Sequence, residues 1–179
     1  MKISMHELAA GTFARMLRSL SGVLDKGAEF AKAKNIDPAV LVNARLAPDM
    51  YPLAKQVQIA CDHAKDSTAR LTGREAPKFE DSEQSFDQLK ARVAKTLEFV
   101  ERAPANAFEG AEDRQIKIPI PNANATIEMN GLQFLRDWIL PHFYFHVVTA
   151  YDILRHNGVE IGKREYMSHV GAYIRPGAS

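Results

Sequence analysis

Apolar residues recur at spacings of three and four along four long stretches of this chain, and at a spacing of two along one short one. The first rhythm is that of an amphipathic helix and the second that of a strand. Leu8, Phe13, Met16, Leu17, Leu20, Val23, Leu24 and Phe30 predict a helix from about Met5 to Lys34, opened by a capping box of Ser4 with Glu7. Asp37 before Pro38 signals a short helix reaching about Asn43. Leu53, Val57, Ala60, Ala64 and Leu71 predict a second long helix, capped by Asp49, with Pro52 in its first turn and Gly73 at its end. Phe86, Leu89, Val93, Leu97 and Val100 predict a third, from a second capping box of Ser85 with Gln88 to about Arg102.

The period then falls to two. Ile116, Ile118 and Ile120 alternate with Lys117 and Pro119, and Ala125 to Met129 can return beside them across Pro121, Asn122, Ala123 and Asn124. Two prolines suit an edge, so a small hairpin is expected and no large sheet. Asn130 caps the fourth long helix, Gly131 to His156, whose inner stripe is Leu132, Leu135, Ile139, His142, His146, Thr149 and Ile153. Pro141 removes one backbone bond and is expected to bend this helix just before the histidines. The tail after Gly158 is expected to add a short helix or cover the bundle, with Arg175, Pro176 and Gly177 frayed. The expected architecture is all-α: a single-domain four-helix bundle over residues 1–179, with a small β-hairpin before the last main helix.

His142 and His146, four apart on one helix, lie one above the other and can share a divalent ion through neutral ring nitrogens. A catalytic zinc centre has three protein ligands, so a third donor is needed. The clearest candidate is His63 in the second long helix, to one side of its inner stripe. The same pair also fits ordinary hydrogen-bonded core histidines. The apolar neighbours Trp138, Ile139, Phe143, Phe145 and Val147 make unpartnered imidazoles costly, which favours a ligand role. Asp62 and Asp152 are candidate partners behind the ligands or plain surface carboxylates, and Cys61 reads as a core cysteine.

Composition narrows the classes. With 23 basic and 22 acidic residues dispersed along the chain and a net charge of +1, no basic stripe announces nucleic acid. One cysteine excludes an internal disulfide framework and fits a reducing compartment. No signal peptide or bilayer-length apolar run is present, so a cytoplasmic protein without membrane contact is expected. No phosphate-cradling glycine loop or nucleophilic serine motif appears.

The four helical segments, the hairpin, and His-Phe-Tyr-Phe-His leading into Tyr-Asp-Ile-Leu-Arg-His-Asn-Gly resemble the DinB-like/YfiT-like superfamily of metalloenzymes. Within it the chain resembles an uncharacterised bacterial family, a domain of unknown function. The resemblance implies an up-down-down-up bundle and a divalent metal, nickel, zinc or iron, held by three histidines. The pair in the fourth helix maps onto His142 and His146; the second-helix ligand falls on His63, the one histidine there. It also implies thiol S-transfer as the favoured chemistry, with an unknown small-molecule substrate. The alternative is a non-catalytic bundle with a degenerate metal site, binding an apolar ligand or a partner chain. The aromatic surplus of Trp138, Phe143, Tyr144, Phe145 and Tyr151 supports that alternative, and would also suit a homodimer contact.

Overall fold

Each of the four apolar stripes buries against the others in a computed structural model that describes residues 3–120 and 123–175. The long helices are α1 (Thr12–Lys34), α3 (Leu53–Thr72), α4 (Phe86–Glu101) and α6 (Leu140–His156). Shorter helices are α2 (Pro38–Val42), α5 (Gly131–Gln133) and α7 (Lys163–Tyr166), and the hairpin pairs β1 (Gln115–Ile120) with β2 (Ala125–Asn130). Pro121 and Asn122 of the expected turn, and Pro176 and Gly177 of the expected frayed end, lie outside the described residues.

Residue pairs fix the helix directions. Arg18 meets Glu101 and Asp25 meets Lys90, so α1 and α4 run antiparallel. Gln56 meets His146 while His63 meets His142, so α3 and α6 are antiparallel too. Phe13 packs edge-on against Phe143, and a side chain at Gly27 would strike Leu154, which makes α1 and α6 parallel. The result is the expected up-down-down-up bundle. Parallel α3 and α4 cannot be joined by a tight turn. The segment from Gly73 to Ser85 therefore runs back along the bundle as a strap, held by Lys55 to Asp81 at 2.5 Å and Gln58 to Glu83 at 2.9 Å.

The local signals largely act where expected. Ser4 Oγ accepts from the Glu7 amide, although the Glu7 carboxylate turns to Arg15 at 2.7 Å instead of closing the box. Asp37 caps α2, Ser85 caps α4, and Asn130 with Gln133 forms a reciprocal box at 2.8 and 3.0 Å. Gly73 ends α3 at φ 73°, the left-handed conformation that glycine adopts without strain.

Asp49 does not cap α3. Pro52 occupies the cap position, because the residue before a proline is driven out of helical conformation and the helix cannot begin earlier. The Leu53 amide is served instead by the Ala44 carbonyl at 2.9 Å.

The fourth helix departs from a plain α-helix. Residues Phe134–Ile139 form a wide π-helical turn directly before Pro141. A proline lacks the amide for an α-helical bond and crowds the carbonyl four residues back; a wider turn accommodates both. Of the expected stripe Leu135, Ile139, Thr149 and Ile153 are buried as expected, Leu132 is exposed, and His142 and His146 are half-buried on the flank, beside a core that Phe143, Val147, Ala150 and Leu154 also fill.

Candidate functional site

Three imidazoles from two helices meet on that flank. The His63 ring centre lies 5.4 Å from that of His142, nearly parallel at 25°, and 5.5 Å from that of His146. His63 stands beside the α3 stripe of Leu53, Val57, Ala60 and Ala64, all buried, which aims it at α6 across the helix contact. The structure thus brings together the residues that sequence reasoning selected.

Each ring has a distinct polar setting. His146 Nδ1 lies 2.7 Å from Gln56 Oε1, and Gln56 Nε2 donates to the Tyr51 carbonyl at 3.1 Å. Gln56 is 1% exposed, so its amide has one satisfied orientation: nitrogen to Tyr51, oxygen to His146. The proton of neutral His146 therefore sits on Nδ1 and its Nε2 keeps a free lone pair. His142 Nδ1 is buried with no hydrogen-bond partner among the described residues. A buried polar nitrogen left bare costs about 1–3 kcal/mol.

Burial, then the neighbouring histidines, lowers His63 to a pKa of about 4, and burial followed by His142 does the same for His146. Both rings are neutral at pH 7 and available as lone-pair donors. Their donors are not drawn to one point: among the described residues no group of three or more His, Cys, Asp or Glu side chains is set to hold an ion. Trp138 stands edge-to-face with His142 at 4.6 Å and Phe145 with His146 at 5.2 Å.

Gln56 escaped the sequence reading. Its signal was a polar residue within an apolar stripe, seven before His63 and hence on the same helix face. The acidic candidates lie elsewhere. Asp62 turns to Arg92 at 3.0 Å and Lys65 at 3.6 Å, and Asp152 is exposed. Cys61 is the expected core cysteine, but the cause is chiefly burial, which pushes its thiol up to about 12, with Asp62 a lesser contributor. The aromatic surplus is divided among three places. Phe143 joins the core, Tyr151 packs on Tyr166 of the tail, and Trp138 with Phe145 borders the histidines.

No described helix is long and apolar enough to cross a membrane. No curated protein matches the chain. Among solved structures it is similar to a crystal structure of a DinB family member from Shewanella denitrificans, at 42% identity over 91% of each chain and a TM-score of 0.84. A family model described as "Domain of unknown function (DUF1993)" matches residues 5–167. With the helical bundle, the hairpin and the histidine cluster in place, the chain belongs to the DUF1993 family, a DinB-like family of helical bundles.

Proposed function

We propose that this protein binds a divalent metal ion, nickel, zinc or iron, through His63, His142 and His146, and that the bound ion serves an enzyme. The observation that carries the proposal is the meeting of three half-buried imidazoles, one with a bare buried nitrogen and one with its proton already assigned away from the cluster. An ion about 2 Å from two imidazole nitrogens at the tetrahedral angle sets the ring centres about 5 Å apart. The spacings of 5.4 and 5.5 Å are close to that, so closing the set needs ring rotation more than helix movement. Imidazole donors suit nickel, zinc and iron.

The chain's own groups have separable parts. Gln56 holds His146 in the tautomer that presents Nε2, as ligating histidines are commonly held. Trp138 and Phe145 border the rings. A bound divalent ion supplies Lewis acidity, polarising a carbonyl or lowering the pKa of a thiol or water. The resemblance to DinB-like proteins favours thiol S-transfer for this chemistry, and the single, buried cysteine fits a cytoplasmic setting.

The test is metal analysis of untagged protein. About one equivalent of nickel, zinc or iron is expected, lost in His142→Ala; no metal under any loading condition overturns the proposal. Gln56→Leu should keep the fold and weaken metal binding about tenfold or more in a competition titration with a chelator. Unchanged affinity would show that the Gln56 contact does not orient a ligand. One observation favours the second reading, a non-catalytic bundle with a degenerate site: among the described residues no three donors are set for an ion. The same metal analysis separates the two.

A further inference from the structure

The outward side of α6 beside the histidines is unlike an ordinary surface helix. From Leu140 to Tyr151 there is no charged residue, although Pro141, Tyr144, Phe145 and Val148 reach solvent. Phe145 is 56% exposed and stands perpendicular to His146; Trp138, one turn before His142, stands nearly perpendicular to that ring. Solvent-facing helix positions are normally polar. Here apolar and aromatic side chains border the imidazole cluster.

The charge environment is equally one-sided. The nearby cations on the strap side are engaged: Lys65 holds Asp66 at 2.6 Å, and Arg92 is buried among Asp62, Asp81 and Glu83. Recognition of a carboxylate or phosphate relies on an available guanidinium or ammonium, and α6 carries neither from Leu140 to Tyr151.

Resting on the metal-binding reading above, we infer that the site takes an uncharged aromatic ligand, one that lays a flat ring against the exposed Phe145 while a donor atom reaches the histidine cluster. An aromatic ring prefers offset or edge-on contact with such neighbours and gains from covering the exposed Phe145 face. An anionic substituent on that ring would lose its hydration against apolar surface without gaining a cationic partner.

The test uses the full-length protein loaded with cobalt(II), whose visible absorption reports ligand entry. Three probes sharing one metal-binding group are compared: acetohydroxamate, benzohydroxamate and 4-carboxybenzohydroxamate. Benzohydroxamate is expected to bind about tenfold more tightly than either of the others. Phe145→Ala should reduce its advantage over acetohydroxamate to about threefold or less, both affinities being read on the cobalt-loaded variant.

Equal binding of the three, or a preference for the carboxylated probe, overturns the inference. Cobalt uptake is read before any probe is added, so its failure counts against the metal reading alone. In metal-free protein the fluorescence of Trp138, the only tryptophan, then follows the two aromatic probes directly. The uncharged probe should again be preferred, and no preference overturns the aromatic seat. Sedimentation supplies the remaining arm: a dimer that Phe145→Ala converts to monomer, with probe preferences unaltered, assigns this face to a second copy and overturns the inference.

Discussion

Arg92→Ala is expected to destabilise the protein by about 2–3 kcal/mol, less than the roughly 3–5 kcal/mol of breaking a fully buried pair, because the Asp62 and Asp81 side chains are 36% exposed and keep Lys65 and Lys55 as partners. The Arg92 side chain is 2% exposed, and its guanidinium reaches Asp62 and Asp81 at 3.0 Å, Glu83 at 3.1 Å and the Glu80 carbonyl at 3.1 Å. Without it, three carboxylates face one another across the joint between the strap, α3 and α4. Burial already raises the Asp62 pKa despite Arg92 and Lys65. Asp81 is held below its ordinary value because Lys55 and Arg92 together outweigh its desolvation. The strap connects two parallel helices, so its release unties α3 from α4 on a different face of α3 from His63. Urea unfolding at pH 7 measures the effect. A midpoint shift worth less than about 1 kcal/mol, the range of an exposed ion pair, would show that the cluster does not hold the strap.

Acidification of the metal-free protein provides the second large effect. His63 and His146 have pKa values of about 4 in the folded state against an ordinary value near 6.5. Between those limits the unfolded chain binds protons that the folded chain does not, so stability falls as pH falls through this window. Above pH 6.5 their contribution is fully present. The loss by pH 4 is on the order of 2–3 kcal/mol for the two rings, after allowance for the screening of half-exposed groups. The double variant His63→Gln, His146→Gln should flatten the slope between pH 6.5 and 4 in denaturant titrations; an unchanged slope would refute the assignment. Saturating zinc or nickel should add stability at pH 7, about 2.7 kcal/mol at a free concentration one hundred times Kd. That gain should shrink steeply on acidification, since protons and the ion compete for the same nitrogens.

The two effects report on different faces of α3. Asp62 and His63 are adjacent in sequence, yet one anchors the strap and the other meets α6, because successive residues on a helix project about 100° apart. Measuring both variants in one background therefore separates loss of the bundle's support from loss of the candidate site. Arg92→Ala should lower stability at all pH values where the carboxylates are ionised, whereas the histidine slope should persist in it.

Much of this protein was determined by local sequence. The stripes of α1, α3, α4 and α6, the stop at Gly73, and the caps at Asp37, Ser85 and Asn130 express short-range rules of helix period and amide satisfaction. The histidine pair was legible for the same reason: a spacing of four on a helix fixes which side chains are neighbours. Tertiary structure decided what depends on distant segments. It placed His63 beside the pair and sent the buried Gln56 amide to His146. It drew Arg92 into the strap's carboxylates, and it left the two histidines half-buried on the flank of the core. Periodicity states which face of a helix is buried, but partners across a helix contact are set by packing between segments far apart in the chain.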